Sequence, residues 1–151
     1  MASANPFDLK SVLLARHAQH VVLIHFPIAL FLVSVAADFA AQWWQKAELA
    51  VVAYFNLTAA AIMSLPAVAT GLMAWRWQLE GQRLKGTLLL HLVLGMTSTA
   101  LIWLVWWLHF RGRKPERPLS LYRLPLEAVA AGVVALTAHL GGFLSGVNVP
   151  V

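Results

Sequence analysis

Cysteine is absent from the chain and charged residues are scarce, and each shortage excludes a class of protein. Without cysteine there can be no disulfides, no cysteine-ligated zinc sites and no iron–sulfur clusters, so histidine is the main candidate metal ligand. Charged residues make up 11% of the 151 positions, whereas a soluble domain carries roughly 25%. The sequence also lacks a phosphate-binding glycine loop and a nucleophile–base–orienter set, which disfavours a self-contained enzyme.

Apolar residues dominate instead, and they are gathered into long runs. Hydrophobic side chains account for 60% of the sequence and the mean hydropathy is +0.72, which indicates an integral membrane protein. Each of the four runs has about 20 or more residues, enough to cross a bilayer as a helix. The predicted spans are residues 20–44, 49–75, 87–110 and 124–144.

Short connections between these spans predict an all-α fold, an up-down-up-down four-helix bundle in the membrane. The bundle would occupy residues 20–151, after an N-terminal interfacial segment at residues 1–19. The first run is too long for the apolar part of a signal peptide, so we expect it to be retained as a span. No internal repeat is obvious in the sequence.

Four histidines fall near one membrane face, which we call the first face because span one begins there. His20 and His25 lie at the start of span one, His91 about one turn into span three, and His139 near the end of span four. An ionisable group inside a span is costly, so such a residue is by default a candidate functional residue.

Small residues share a helix face with three of these histidines. On span three, His91, Gly95 and Ser98 recur at helical spacing. The same pattern places His25 with Ala29, Leu32 and Ala36, and His139 with Ala128, Ala131, Gly132, Ala135 and Gly142. Such stripes allow a neighbouring helix or a flat macrocycle to approach closely, so the three histidines are expected to point into the bundle. Gly95 and Gly142 would leave room for the edge of a porphyrin.

Histidines on different helices at matched depth are what haem b needs for ligation by two imidazoles, which gives an iron suited to electron transfer. We predict His25 and His91 as the axial ligands. His139 could replace either ligand, donate to a propionate or serve a second site. His20 cannot share the iron with His25, because five residues of helix turn the two side chains about 140° apart.

Other arrangements of the same residues stay open. His20 and His139 could hold a second haem, or three histidines could bind copper or zinc, since imidazole suits those ions as well. The spans carry no carboxylate near the first face to complete such a metal site. Each histidine taken alone could also be a structural hydrogen-bonding residue.

The remaining ionisable groups are expected to be structural or interfacial. His17 and, at the opposite second face, His109 are predicted to lie at the membrane–water interface. Asp38, toward the second face, is expected to pair with a basic residue there, such as Arg111 or Arg123. A proton relay through Asp38 would need partners that the sequence does not identify.

Basic residues give a weak signal of membrane orientation. The net charge of +5 lies in segments that flank the spans, where it is typical of topology and lipid headgroup contact and not of nucleic-acid binding. The dense run of basic residues at 111–123 favours a cytoplasmic second face. The histidines would then face the periplasm, with the chain in a bacterial inner membrane.

The first span opens with His20-x4-His25-Phe-Pro-Ile-Ala-Leu30 and continues to Asp38. This pattern resembles the opening of a bacterial membrane family known as domain of unknown function two-two-three-one. The chain departs from the family at Val21, where proline is frequent. Later landmarks that look like the family's are Thr70-Gly71, His91, Arg111 and the ending Leu140-Gly-Gly-x-Leu-x-Gly-Val-Asn-Val149, with Phe143 and Ser145 in an ending that often carries an acidic residue and a tyrosine.

The resemblance covers nearly the whole chain and implies a fold and a setting. Relatives are sometimes joined to periplasmic redox modules such as c-type cytochrome or Rieske domains, which implies a redox setting for the first face. No activity comes with the family itself.

These observations together predict a small b-type cytochrome-like subunit. It would pass electrons between a periplasmic redox partner and quinone or another haem in a larger complex. One alternative is a cofactor-free structural subunit that packs against membrane partners through tryptophan-rich surfaces. Another is a metal-ion or small-solute permease whose path is lined by histidines. An absorbing cofactor would separate the first function from the other two.

Overall fold

The computed structural model describes residues 16–77, 79–81, 83–112 and 122–146, and this part of the chain is helical without strands. Its helices are α1 (Arg16–Trp44), α2 (Ala47–Trp77), α3 (Gly86–Gly112) and α4 (Arg123–Leu144). The predicted all-α fold is confirmed, and each helix extends its predicted span by a few residues. The predicted interfacial segment at residues 1–19 lies largely outside the described residues, as does the side chain of His17.

All four helices are long and apolar enough to cross a membrane. The shortest, α4, has 22 residues, which at about 1.5 Å per residue exceeds the roughly 30 Å of hydrocarbon in a bilayer. Large apolar side chains such as Phe55, Trp43 and Val51 remain exposed on the outside of the bundle. Because such a surface suits lipid and not water, the chain is an integral, multi-pass membrane protein.

The helices pack in a ring in which α1–α2, α2–α3, α3–α4 and α4–α1 are neighbours. On α1 and α2, His20 bonds Thr70 while Ser34 bonds the Ala53 carbonyl. Residue numbers therefore rise on one helix as they fall on the next, so these neighbours run antiparallel. Hydrogen bonds between α2 and α3 and between α3 and α4 show the same reversal, so the arrangement is up-down-up-down, with α1 and α3 diagonal to each other. The core is formed by Phe31, Leu57, Ala60, Ala61, Ile102, Val105, Ala130 and Val134.

Buried positions repeat between the first and second helical hairpins, although the sequence shows no obvious repeat. Four of the buried α1 residues have a buried α3 counterpart 71 positions later: Pro27 and Ser98, Phe31 and Ile102, Ser34 and Val105, Asp38 and His109. Between α2 and α4 the offset is 70 positions: Ala53 and Arg123, Leu57 and Glu127, Ala60 and Ala130, Ser64 and Val134. The bundle is therefore two hairpins with one register of buried positions, and the residue types at those positions differ too much for the repeat to show in the sequence.

Candidate functional site

His25, the first predicted haem ligand, lies on the outer surface of the bundle. Its ring is exposed, and its Nδ1–H donates within α1 to the Val21 carbonyl at 2.5 Å. His25 lies six residues before the buried Phe31, which turns the two side chains about 120° apart around the helix. The expectation that His25 points inward was wrong. Its stripe companions are exposed as well: Ala29, Leu32 and Ala36.

His139 is likewise exposed, and its ring meets Phe143 edge-on with centroids 5.0 Å apart. Its predicted inward orientation was also wrong. Small residues mark a packing face only if the other faces carry large ones, and this bundle has small residues on both sides. The exposed side of α4 includes Ala128, Gly132 and Ala135, whereas the buried side of α2 includes Ala53, Ala60, Ala61, Ala67 and Ala74.

His91 does face a neighbouring helix. Its Nδ1 lies 3.2 Å from the Thr137 carbonyl oxygen of α4. A Cβ atom placed on Gly141 would lie 3.2 Å from the His91 Cε1, so the ring packs closely against that glycine. A Cβ on Gly95 would lie 3.9 Å from the Thr137 methyl group, an ordinary contact between α3 and α4. Gly142 is partly buried beside this site, and its carbonyl accepts a hydrogen bond from Ser145 at 3.1 Å.

His20 makes the equivalent contacts in the first hairpin. Its Nδ1 lies 3.2 Å from the Thr70 hydroxyl of α2. That hydroxyl donates to the Pro66 carbonyl at 2.8 Å, so its oxygen accepts from the His20 Nδ1–H. A Cβ placed on Gly71 would lie 2.9 Å from the His20 Cε1, closer than real Cβ contacts occur. Each hairpin therefore seats one histidine against a glycine of its second helix.

The helical phase of His20 and His91 directs both toward the bundle axis. Each lies 18 residues before a fully buried residue of its own helix, Asp38 on α1 and His109 on α3. Eighteen residues are about five full helical turns, so the side chains of each pair leave the helix in the same direction. Asp38 Oδ2 and His109 Nε2 approach to 4.0 Å across the diagonal of the bundle. His20 and His91 therefore leave their helices on the same side as Asp38 and His109, but near the first face.

The acceptors of these two histidines determine their tautomers. A carbonyl oxygen accepts from His91, and the Thr70 oxygen accepts from His20, so we assign the proton of each neutral ring to Nδ1. The lone pair then lies on Nε2. An imidazole that donates from Nδ1–H and carries its lone pair on Nε2 is the usual tautomer of a metal-ligating histidine.

A second cluster of polar side chains is buried near the opposite face. Arg123, the first residue of α4, binds Asp38 of α1 with two hydrogen bonds, Nε to Oδ2 at 2.7 Å and Nη2 to Oδ1 at 2.8 Å. Both residues are buried. The predicted pairing of Asp38 with a basic residue is confirmed, with Arg123 as the partner. Arg111, the other candidate, is exposed and lies 4.7 Å from the ring centroid of Trp107.

His109 belongs to this cluster and is not interfacial as predicted. It is 4% exposed, and its Nε2 lies 2.7 Å from Glu127 Oε1 on α4. The burial is possible because this carboxylate supplies a hydrogen-bond partner inside the bundle. Sequence reasoning missed Glu127. The available signal was its position four residues after Arg123, which places both residues on one side of a helix.

The four residues Asp38, His109, Arg123 and Glu127, which we call the charged quartet, join three helices. Arg123 Nε also lies 3.7 Å from Glu127 Oε1. Two buried atoms of the quartet, Arg123 Nη1 and Glu127 Oε2, have no hydrogen-bond partner among the described residues. Asp38, His109 and Glu127 offer ligand atoms within 4.8 Å of one another, close enough to hold a metal ion. The guanidinium of Arg123 beside these ligand atoms disfavours a metal ion, so the quartet is better suited to exchange a proton.

The fold and these two sites define a class, a small polytopic membrane protein with paired histidines at one end and buried charges at the other. The chain belongs to the family DUF2231, described as a predicted membrane protein, which matches residues 16–148. The match confirms the resemblance inferred from the opening motif. No curated protein matches the chain significantly, and no solved structure does.

Proposed function

We propose that this protein is a small b-type cytochrome-like electron-transfer subunit that binds haem b near the first face, with His20 and His91 as the axial ligands. The observation that carries the proposal is their matched placement. They occupy equivalent positions of the two hairpins, on diagonal helices, each packed against a glycine. His20 replaces His25 in the predicted pair, because His25 faces away from the bundle.

The hydrogen bonds of the two rings fit this group. The Nδ1–H of His91 donates to a backbone carbonyl and that of His20 to the Thr70 hydroxyl. Such bonds fix the orientation of an imidazole and make its Nε2 a better ligand. Haem supplies reversible one-electron chemistry, and the apolar bundle would keep water from it. The proposed electron partners are a periplasmic redox protein on one side and quinone or another haem on the other.

A difference spectrum of reduced minus oxidised protein tests the proposal. The protein would be purified in detergent from cells supplied with haem, as wild type and as His20→Ala, His91→Ala, His25→Ala and His139→Ala. The last two remove exposed rings and are the matched controls. We expect a sharp band in the wild type that disappears in His20→Ala and His91→Ala and persists in both controls. A folded wild-type protein without the band, or a band lost only in His25→Ala, would overturn the proposal.

A cofactor-free structural subunit is the second candidate, and one observation favours it. The Trp103 and Trp106 indoles donate to Ser64 and Thr58 of α2 at 3.2 and 3.1 Å, so the bundle satisfies several polar groups internally, as it does His20 and His91. Histidines bonded in this way can serve the fold alone. The spectrum separates the candidates, because a structural subunit has no reduced band while His91→Ala still lowers its stability.

A further inference from the structure

We propose that the charged quartet is a site that binds and releases one proton at the second face. The ligand is the proton itself, shared between His109 and Glu127, while Arg123 and Asp38 form a fixed ion pair beside them. The proposal concerns a different end of the bundle from the haem site and does not depend on it.

The charges of the quartet account for one exchangeable proton. The Asp38 carboxylate and the Arg123 guanidinium cancel each other through two hydrogen bonds. With His109 neutral and Glu127 ionised, the remaining pair carries one negative charge in an apolar bundle, which is costly. One proton added to the pair makes the whole quartet neutral. The 2.7 Å contact between His109 Nε2 and Glu127 Oε1 lets either residue carry that proton.

Two buried atoms of the quartet have no hydrogen-bond partner among the described residues. Arg123 Nη1 is a donor and Glu127 Oε2 an acceptor, and neither is bonded within the described residues. Arg123 is 6% exposed and Glu127 is 1% exposed, so bulk water does not satisfy them. Buried polar atoms normally have partners, and a donor and an acceptor in one cluster suit an internal water molecule. Such a water would connect the shared proton to the solvent.

The quartet lies close to the helix ends at the second face, so the path of the proton to water is short. Arg123 is the first residue of α4, and His109 lies three residues before the end of α3 at Gly112. Asp38 lies six residues before the end of α1, about 9 Å along the helix. A proton therefore needs to cross only the outermost turns of the bundle to reach water at the second face. His20 and His91, near the first face, lie about 27 Å away from the quartet along the helices.

The neighbouring groups favour a proton over a metal ion. Arg123 bonds both oxygens of Asp38 and its Nε lies 3.7 Å from Glu127 Oε1, so a fixed cation already contacts two of the three candidate ligands. A metal ion there would face the repulsion of the guanidinium. Among the described residues, the ionisable groups that contact the pair are Asp38 from α1 and Arg123 from α4. The described buried residues of α2 are alanine, leucine and serine and add no charge.

Nitrogen-15 spectra of the histidines in lipid nanodiscs test the proposal. In the released state, neutral His109 donates from Nε2 to ionised Glu127, and its Nδ1 carries no proton. In the bound state Nδ1 carries a proton wherever on the pair the added proton resides. The Nδ1 signal of His109, assigned with His109→Gln, would be followed from about pH 3 to about pH 10, a range that spans the ordinary histidine and carboxyl titrations.

We expect one protonation step at His109 Nδ1 in the wild type. In Glu127→Gln the step should be lost or shifted by more than about tenfold in proton concentration, since one unit of pH is tenfold. Glu48→Gln, which removes an exposed carboxylate of α2, should leave the step unchanged. The wild-type spectrum alone overturns the proposal if Nδ1 of the folded protein never changes. An unaltered step in Glu127→Gln, or a step abolished by zinc at matched pH, would also overturn it, the last in favour of a metal site.

Discussion

The two ends of the bundle use the same register of buried positions in opposite ways. At the first face, equivalent positions of the two hairpins carry the same residue, His20 and His91, each half-buried with a neutral acceptor and a glycine. At the second face, the equivalent positions carry different residues, Asp38 and His109, and both are fully buried. A repeated backbone thus supports a symmetric pair of histidines at one end and an asymmetric set of charges at the other.

This difference indicates which interactions stabilise each end of the bundle. Buried charges depend on their partners, because breaking an ion pair leaves an uncompensated charge inside the protein. Half-buried neutral rings depend on shape and on single hydrogen bonds, which contribute less. The comparison therefore predicts that single substitutions at the second face destabilise the protein more than those at the first.

The largest expected effect is from Arg123→Met, which removes the cation that holds Asp38. Loss of one partner of a buried ion pair costs about 3–5 kcal/mol, since the remaining carboxylate must stay charged without a partner or take up a proton. The measurement is the free energy of unfolding in detergent micelles. Arg111→Met is the matched control, because Arg111 is exposed over Trp107. Equal losses in the two variants would contradict the importance of the Asp38 pair.

A smaller effect is expected at the first face from Gly71→Ala. The new Cβ would lie 2.9 Å from the His20 Cε1, so the ring must move from Thr70. Overpacking of this kind costs about 1–3 kcal/mol. Gly141→Ala should cost less, because its Cβ would lie 3.2 Å from His91. The free energy of unfolding measures both changes, the His20 nitrogen signals report on Gly71→Ala, and the His91 signals report on Gly141→Ala.

Gly132→Ala is the control for the glycine pair, because a Cβ there meets nothing within 4 Å. If it destabilises the protein as much as Gly71→Ala, helix conformation and not the histidine contact determines the loss. If Gly71→Ala leaves the His20 signals unchanged, the close contact between His20 and Gly71 is wrong.

The sequence was sufficient to predict the helices but not the faces they bury. Hydropathy and span length identify membrane helices because most lipid-facing and core-facing side chains are apolar. The same property removes the contrast that marks the buried side of a helix in a soluble protein. The stripes of small residues beside His25 and His139 were therefore interpreted as packing faces, although they lie on the exterior.

Charged residues were the better guide to the buried side. The sequence predicted that Asp38 pairs with a basic residue such as Arg111 or Arg123, because a carboxylate within a span needs a cation near the same depth. His109 was predicted at the interface because it lies beside Trp107 and Arg111, and its partner Glu127 was not considered. Two ionisable residues that face each other from different helices have no fixed sequence spacing. Only the packing of α3 on α4 brings them together.

The smallest expected effect is from Thr70→Val, which tests a single hydrogen bond at the first face. Valine keeps the shape of threonine but removes the acceptor of the His20 Nδ1–H. A neutral hydrogen bond of this kind contributes about 0.5–1.5 kcal/mol. Thr97→Val is the matched control, because the Thr97 hydroxyl also donates to a carbonyl four residues earlier but lies on the exposed side of α3. Thr70→Val should therefore lower the free energy of unfolding more than Thr97→Val, and should alter the His20 nitrogen signals while those of His91 stay unchanged. If both variants lose equal stability and the His20 signals do not change, the Thr70 hydroxyl serves its own helix only, and the orientation of His20 must be attributed to its contact with Gly71.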